Sequence, residues 1–155
     1  MQSYIFESTI GPLRLQEEDN CLTRVAFLGT EGSKSRAIEP AAPLLREAAN
    51  QLKAYLDGKL KSFDLPIRAK GTPFMLEVWE ELKGIPYGCT ASYGDIARGI
   101  GRPKAFRAVG LANNKNPIAI IIPCHRVVGS DNKMVGYAGG LEVKRTLLRL
   151  EGALL

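Results

Sequence analysis

The sequence contains few of the residues that build cross-links or metal sites, with three cysteines and one histidine among 155 residues. The cysteines are Cys21, Cys89 and Cys124, an odd number without metal-ligand spacing. These features argue against both a disulfide framework and a Cys/His zinc site. A solitary free cysteine is most often a small buried hydrophobe, so two of the three are expected to be filler of core or surface.

Long apolar segments are also missing. The longest unbroken apolar stretch, Ile118 to Ile122, is far too short to cross a bilayer. The N-terminus lacks the cationic start, apolar stretch and small-residue cleavage site of a signal peptide. We therefore expect an intracellular protein with no membrane partner.

The bulk composition is that of an ordinary globular protein. Hydrophobic residues make up 45% of the chain and charged residues 24%, which argues against long disorder. A chain of 155 residues allows one full domain or two small ones packed together. We place the boundary at the segment Ala69-Lys70-Gly71, which gives two parts, 1–70 and 71–155.

Acidic residues are absent from one long stretch of the second part. None occurs between Asp95 and Asp131, and the chain has a net charge of +5. The cations inside that window are Arg98, Arg102, Lys104, Arg107, Lys115 and Arg126. A stretch of one charge sign predicts a phosphate-facing surface, the alternative being a solvated face that happens to lack acids.

The first part has the pattern of strands followed by a helix. The predicted strands form an antiparallel meander: Ser3 to Ser8, Leu13 to Gln16 after the Gly11-Pro12 turn, and Leu22 to Leu28. After a loop from Gly29 to Glu39, apolar residues recur at helical spacing from Pro43 to Gly58. This pattern predicts an amphipathic helix on the sheet, and Ser62 to Ile67 is a candidate further strand.

The second part begins with helices that have clear start signals. Thr72 can cap a helix that begins at Pro73, and Ser92 can cap a short helix from Tyr93 to Arg98. Gly99-Ile100-Gly101 then breaks the pattern, and Pro103 is predicted to start a helix that ends at Asn113 or Asn114. Two short helices divided by a glycine turn are typical of a helix-turn-helix, although any αα-hairpin has the same pattern.

The remaining chain leads to a final helix. Ile118 to Ile122 is predicted to be a buried extended segment that delivers Pro123-Cys124-His125-Arg126 at its end. A glycine-rich loop follows, and Leu141 to Glu151 is predicted to be a helix with Val143, Leu147 and Leu150 facing inward.

Cys124 is the one cysteine with a candidate base beside it. A thiol attacks as thiolate, and His125 is the only imidazole of the chain. Side chains of neighbouring residues on an extended segment point to opposite faces, so contact requires a bridging water or a tight turn. Glu142 or Glu151 could orient the imidazole. The alternative is a buried structural cysteine followed by a capping histidine.

The segment Ile120 to Val128, which contains Pro-Cys-His-Arg, resembles the active-site signature of the O6-alkylguanine-DNA alkyltransferase (methylated-DNA–protein-cysteine methyltransferase) family. The resemblance covers residues 72–152 and is loose over the first 70. Further segments similar in order and spacing are Ile85-Pro86-Tyr87-Gly88, Ser92-Tyr93-Gly94, Gly101-Arg102-Pro103-Lys104-Ala105, Arg107-Ala108-Val109-Gly110, Asn116-Pro117, Tyr137-Ala138-Gly139-Gly140 and Leu150-Glu151-Gly152.

The resemblance implies a fold and a function. The fold is an α/β (α+β) ribonuclease-H-like domain over 1–70, followed by a mainly helical winged-helix or helix-turn-helix domain over 71–155. The function is direct-reversal DNA repair, in which O6-alkylguanine, with O4-alkylthymine as a candidate second substrate, is flipped out and its alkyl group passes irreversibly to Cys124. The partner is double-stranded DNA bound through the minor groove by a monomer, with no metal or organic cofactor. The location is cytoplasmic, and nucleoid-associated in a prokaryote.

The resemblance also implies roles for single residues. Cys124 is the alkyl acceptor, His125 draws its proton through a water, and Glu151 orients His125. Tyr93 lends its hydroxyl to N3 of the flipped guanine, so that the base departs neutral. Asn116 is a hinge that joins the recognition helix to the active-site segment by backbone hydrogen bonds.

The implied DNA contacts centre on Arg107, the arginine finger that replaces the extruded base. Lys104 lies on the same surface, and Ala105, Ala108 and Gly110 keep the helix slim enough for the minor groove. We expect the bulky Phe106 to face the core. The implied pocket consists of Val127, Tyr137, Ala138 and Gly139, where Ala138 replaces a serine common in relatives and keeps only the backbone donor.

Three other functions compete with this interpretation. An alkyltransferase-like sensor binds and flips alkylated bases without repairing them, but such proteins replace the cysteine that stands here at Cys124. A helix-turn-helix regulator with a structural Cys-His pair would keep its behaviour after Cys124→Ala. A thiol hydrolase would turn over repeatedly on an ester or amide.

Overall fold

The computed structural model describes residues 2–29 and 42–153, and the chain divides into two compact units, Met1–Ala69 and Lys70–Leu155. The predicted loop from Gly29 to Glu39 lies, apart from Gly29, outside the described residues. None of the described helices is both long and apolar enough to cross a membrane.

A three-stranded antiparallel sheet forms the first unit. Its strands are β1 (Gln2–Ser8), β2 (Gly11–Glu18) and β3 (Cys21–Phe27), in the order β1-β2-β3, so the predicted meander is confirmed. Asp19 and Asn20 close the second hairpin with φ values of 51° and 63°. Two consecutive residues with positive φ are the signature of the two-residue hairpin turn that matches strand twist.

One helix packs on this sheet. Helix α1 (Pro43–Leu56) begins at the predicted proline and buries Leu45, Ala48, Leu52 and Tyr55. The predicted strand from Ser62 to Ile67 is wrong, because only an isolated bridge joins Ile67 to Leu22. Pro66 offers its carbonyl to the Leu22 amide at 2.8 Å but has no N–H to continue a ladder.

The second unit opens with α2 (Pro73–Leu82), which starts as predicted. The Thr72 side chain accepts a hydrogen bond from the Met75 amide at 3.2 Å, and Pro73 occupies the first turn. Trp79 is buried and its indole N–H donates to the carbonyl of Ala112 at 2.8 Å. This bond fixes α2 against the helix that contains Ala112.

Two short helices follow. The strand β4 (Ala91–Ser92) leads into α3 (Tyr93–Gly99), which Ser92 caps as predicted, and α4 covers Phe106–Asn114. The expected start of α4 at Pro103 is wrong by three residues. Arg102 accepts a hydrogen bond from the Ala105 amide at 2.9 Å, so Pro103 lies at the second position of a tight turn, where proline is also favoured.

The apolar segment after α4 is buried but not extended, so that prediction is wrong. The Ile122 amide donates to the carbonyl of Ile118 at 3.0 Å, and Ile120 has a φ of 73°. The segment therefore turns back on itself while Ile118, Ile120 and Ile122 remain almost inaccessible to solvent. A short apolar run predicts burial but does not distinguish a strand from a folded turn.

The chain then reaches its last elements. A 3₁₀ turn (Cys124–Arg126) runs into β5 (Val127–Val128), which pairs in parallel with β4, and a second 3₁₀ turn covers Ser130–Asn132. Helix α5 (Leu141–Leu150) closes the unit. Leu147 faces inward as predicted, but the other buried residues of α5 are Lys144 and Leu148, whereas Val143 and Leu150 are only half-buried.

Candidate active site

Cys124 is the first residue of the 3₁₀ turn and is 6% exposed. Its amide donates to the carbonyl of Ile122 at 2.8 Å, which holds the turn at its start. Cys124 and His125 therefore lie in a tight turn, one of the two arrangements that the sequence requires for them to act on each other. The sulfur lies in a largely water-excluded setting, next to the chain's only imidazole.

His125 is fully buried and hydrogen-bonded to the last turn of the unit. Its Nε2 lies 2.8 Å from a carboxylate oxygen of Glu151, which is also buried. A carboxylate accepts hydrogen bonds, so Nε2 carries the proton and Nδ1 is the basic nitrogen. Burial lowers the pKa of His125 below its ordinary value, although Glu151 opposes this shift, so the imidazole is neutral at pH 7.

Arg126 holds the same carboxylate from the other side. Its Nε and Nη2 donate to the two oxygens of Glu151 at 2.8 and 3.0 Å, and its Nη1 donates to the carbonyl of Ile85 at 2.7 Å. The loop at Gly88 packs closely on this turn, since a Cβ there would lie 3.1 Å from the carbonyl oxygen of Glu151. Both oxygens of Glu151 are thus fixed, which orients His125.

The thiol itself is disfavoured as an anion. Burial raises the pKa of Cys124 above its usual range, while a hydrogen bond from the Asn116 side chain and the positive charge of Lys144 act in the opposite direction. Cys124 is therefore a thiol at neutral pH and must lose its proton in order to react. A neutral imidazole oriented by a carboxylate is suited to accept that proton.

Lys144 is a part of the site that the sequence did not reveal. Its ammonium is buried and donates to the carbonyls of Val127 and Val135 at 2.6 and 3.0 Å. Burial lowers the pKa of Lys144 to about 8, and the negative charge of Cys124 in its thiolate form opposes the shift. Its spacing from the two buried leucines of α5 places it on the buried face of the helix, but a lysine is ordinarily expected at the surface, and so its burial was not predicted.

Asn116 connects the end of α4 to the turn that precedes Cys124. Its side-chain amide donates to the carbonyl of Ile122 at 2.7 Å, and its side-chain oxygen accepts from the amide of Ile118 at 3.0 Å. One side chain thereby closes both ends of the segment 118–122. The position of Cys124 relative to α4 depends on these two bonds.

Tyr93, the first residue of α3, is half-buried beside α4. A Cβ added at Gly110 would lie 3.7 Å from its ring, which is ordinary contact distance. Burial raises the pKa of Tyr93 above its usual value, and the negative charge of Cys124 in its thiolate form adds to this. The phenol is therefore protonated at neutral pH and can donate a hydrogen bond.

The residues predicted to line a pocket are divided between two segments. Val127 is buried directly after the 3₁₀ turn, whereas Tyr137 and Gly139 are half-buried and Ala138 is exposed in the loop before α5. The amide of Gly140 donates to the carbonyl of Tyr137 at 2.9 Å and closes the end of this loop. Lys144 links the two segments by holding Val127 and Val135.

The residues predicted to contact DNA lie on or just before α4. Arg107, Ala108 and Lys104 are exposed, while Ala105 and Gly110 are half-buried. The expectation that Phe106 faces the core is wrong, since its side chain is 49% exposed. Phe106 is the first residue of α4, and the buried face of the helix begins one turn later, at Val109.

Among the residues that the structure describes, no three or more His, Cys, Asp or Glu side chains come together in a way that could hold a metal ion.

Comparison with protein families matches both units. Residues 73–153 match the family described as 6-O-methylguanine DNA methyltransferase, DNA binding domain, and residues 2–69 match its ribonuclease-like domain. The expected fold, a ribonuclease-like N-terminal domain followed by a helical DNA-binding domain, is thereby confirmed.

Individual relatives cover nearly the whole chain. The methylated-DNA–protein-cysteine methyltransferase of Methanosarcina acetivorans is 52% identical over 153 residues, which is 96% of this chain and 97% of that protein. The protein of the same name from Mycobacterium tuberculosis is 49% identical over 146 residues, covering 94% and 88% of the two chains.

Among solved structures, Mycobacterium tuberculosis OGT in complex with DNA superposes with a TM-score of 0.89. The match has 46% sequence identity and covers 99% of this chain and 94% of that one.

Proposed function

Because the chain belongs to the methylated-DNA–protein-cysteine methyltransferase family, we propose that it repairs DNA by moving an alkyl group from O6 of guanine to Sγ of Cys124. The observation that carries this proposal is that Cys124, His125 and Glu151 are all buried and that a carboxylate oxygen of Glu151 lies 2.8 Å from Nε2 of His125. The second candidate function is that of a sensor that binds alkylated DNA without repairing it. It has no comparable support, because such sensors lack the cysteine that this chain has at position 124.

The reaction is a displacement at the alkyl carbon. The proton of the Cys124 thiol moves to Nδ1 of His125 through a water, and the resulting imidazolium is stabilised by Glu151. The sulfur then forms a bond to the alkyl carbon while the bond from that carbon to O6 breaks. The electron pair of the broken bond stays with the departing guanine.

Tyr93 assists the departure of the base. Its protonated hydroxyl donates to N3 of guanine, so the base leaves as a neutral molecule rather than as an anion. The proton taken up by His125 returns through solvent and balances the one that Tyr93 gives. The products are guanine in the DNA and a thioether on Cys124.

The DNA must bring the alkyl carbon to a sulfur that is 6% exposed, so the nucleotide has to leave the base stack. We assign this step to α4, which enters the minor groove with Arg107 in the place of the extruded base. Ala105, Ala108 and Gly110 leave room for the groove walls, and Lys104 contacts phosphate.

The flipped base is held between the two segments that Lys144 joins. Val127 and Ala138 offer backbone groups to the guanine, and Tyr137 and Gly139 line the space for the alkyl group. Asn116 couples the entry of α4 to the position of Cys124 through its bonds to Ile118 and Ile122.

Each molecule acts once, because a thioether is a poor leaving group and the alkyl group stays on Cys124. A protein of this kind works as a monomer on alkylated duplex DNA. It acts where the DNA lies, in the cytoplasm and, in a prokaryote, at the nucleoid.

Intact-mass and peptide mass spectrometry test the proposal. Under reducing conditions, a duplex with one O6-methylguanine should add one methyl group per protein molecule, on the peptide that contains Cys124. Cys124→Ala should add none and still bind the DNA, whereas Cys89→Ser, which changes an exposed cysteine outside the site, should behave as wild type. Binding without methyl addition would identify a sensor, and removal of more than one methyl group per protein molecule would contradict the proposed single-use reaction.

A further inference from the structure

Helix α4 presents two large apolar side chains to solvent. Phe106 is 49% exposed and Leu111 is 65% exposed, while the opposite face of the helix is buried through Val109, Ala112 and Asn113. Of the described residues, only two other large apolar side chains are comparably exposed, and these lie on other helices. Exposed apolar side chains mark a surface that meets a partner only where they line a common feature, as these two do.

These two side chains belong to one groove. Its volume is about 400 Å³, and it is lined by Tyr93, Phe106, Arg107, Gly110, Leu111 and Asn114. Gly110 lies four residues after Phe106 and next to Leu111. Because it has no side chain, the space between the two apolar side chains stays open, and the Tyr93 ring lies close to Gly110. The groove therefore consists of an aromatic edge, an aliphatic edge and the guanidinium of Arg107.

The positive charge around the groove favours a partner that carries negative charge. The sequence has no acidic residue from 96 to 130, and Lys104, Arg107 and Lys115 are exposed at or near the two ends of α4. An uncharged apolar surface would satisfy the apolar groups alone, whereas the partner given by the proposed function, duplex DNA, satisfies both the apolar groups and the cations. The DNA duplex has this chemistry, with phosphates outside and stacked bases inside.

We propose that Phe106 is an intercalating wedge that enters the duplex beside the nucleotide to be flipped, with Leu111 packed on the sugars of the minor groove. This inference rests on the proposed function and adds a second component to the step assigned to Arg107. The guanidinium fills the space that the base leaves, and the phenyl ring covers the face of the neighbouring base pair that the departure exposes. Apolar side chains that enter from the minor groove unstack base steps in this way.

The wedge explains why exposed Phe106 stands directly before Arg107. A polar residue there would leave the uncovered base pair in contact with water during the flipped state. Stacking of an aromatic ring on a base is favourable for every base, so the contact carries no sequence preference. The wedge therefore assists flipping at a lesion in any sequence context.

The test compares alkylation rates of Cys124 on three substrates. These are O6-methylguanine in a perfect duplex, the same lesion within a bubble of three mismatched pairs, and free O6-benzylguanine. Phe106→Ser should slow the reaction about tenfold or more on the perfect duplex, because unstacking a step costs a few kcal/mol. On the bubble and the free base, where no intact stack is opened, the loss should be less than about threefold.

Two further variants provide controls. Phe106→Leu keeps an apolar wedge and should stay within about threefold of wild type on the duplex. Leu76→Ser removes an exposed apolar side chain of α2 that is not part of the groove and should not change any of the three rates. An equal loss on all three substrates would assign Phe106 to folding or to the pocket and would overturn the wedge.

Binding measurements separate failure of the wedge from failure of the proposed function. Phe106→Ser should lose about fivefold or more in affinity for the perfect duplex and less than about twofold for the bubble. If Phe106→Ser shows these affinity losses relative to wild type, but Cys124 of wild type is never alkylated, the proposed function is wrong and the wedge stands. If wild type alkylates Cys124 and Phe106→Ser matches it on the duplex in both rate and affinity, the wedge is wrong.

Discussion

Single residues set the electrostatics of the site, and Lys144 is the clearest case. Its ammonium is removed from water, donates to the carbonyls of Val127 and Val135, and has a pKa lowered to about 8 by burial. The folded chain therefore releases this proton at lower pH than the unfolded chain, where lysine keeps its ordinary pKa of 10.5. The contribution of Lys144 to stability is smallest at neutral pH.

We predict that Lys144→Met destabilises the protein by about 1 to 3 kcal/mol at pH 7, because the buried carbonyls lose their donor. The stability gap between wild type and variant should widen as pH rises from about 8 to 10.5. In that range the unfolded wild-type chain binds more protons at this group than the folded chain, so its free energy of unfolding rises with pH relative to that of the variant.

Urea denaturation of both proteins at several pH values measures this difference. Lys133→Met, which changes an exposed lysine of the loop before α5, should give a gap that does not depend on pH. Parallel curves for wild type and Lys144→Met would show that the ammonium is not buried in solution.

At the scale of whole elements, α3 depends on its first residues. The side chain of Ser92 accepts from the Asp95 amide at 3.0 Å, and the Asp95 carboxylate accepts from the Ser92 amide at 2.9 Å. Hydrogen bonds from Ser92 lower the pKa of Asp95, and the bond from the Ser92 backbone has a larger effect than the bond from its side chain. Tyr93 lies inside this capping box, directly after Ser92, so the cap also fixes where the phenol stands.

We predict that Ser92→Ala lowers the free energy of unfolding by about 0.5 to 2 kcal/mol, the usual effect of removing a helix cap. The variant should also react more slowly with alkylated DNA, because fraying of the first turn displaces Tyr93. Ser92→Thr keeps the hydroxyl and should stay near wild type in both urea midpoint and rate. An unchanged midpoint in Ser92→Ala would mean that the cap is not formed in solution.

Start signals of this kind were what the sequence predicted best. Pro43, Thr72 and Ser92 mark the beginnings of α1, α2 and α3, because caps and first-turn prolines act within a few residues of themselves. Pro103 misled, since the same residue type also favours the tight turn that it occupies here. The fold of 118–122 depends on distant packing and on the hydrogen bonds of Asn116, which no local pattern contains.

The site was predictable to a similar extent. The Pro-Cys-His-Arg segment and its resemblance identified Cys124 and His125, and the resemblance supplied Glu151. The bidentate contact of Arg126 with Glu151 and the burial of Lys144 were not foreseen, because charged side chains are expected at the surface until a buried partner is known. The exposure of Phe106 was missed because a large aromatic side chain is expected in the core.

At the scale of the whole molecule, positive charge is exposed on one part of the second unit. Lys104, Arg107 and Lys115 are exposed, whereas Arg98 and Arg102 form ion pairs with Asp95 and Glu77. If residues 71–155 form the DNA-binding domain, as we propose, the affinity for undamaged duplex DNA should fall linearly with salt on logarithmic axes.

We predict that Lys104→Ala reduces the magnitude of that salt slope by about one, the effect of losing one phosphate contact. Lys53→Ala, which removes an exposed lysine of α1 that pairs with Asp57, should leave the slope unchanged. Fluorescence anisotropy across a salt series measures both. Equal slopes for Lys104→Ala and wild type would place the phosphate contacts elsewhere.

The hydrogen bond between His125 and Glu151 joins residues 26 positions apart and has a consequence for the newborn chain. The ribosome releases the cysteine and its neighbouring histidine before the glutamate that completes them. If the proposed mechanism holds, the thiol has no oriented base during this interval and is inert towards lesions in nearby DNA. A chain whose translation stops before position 151 would then be unable to remove a lesion, and its cysteine would stay unmodified.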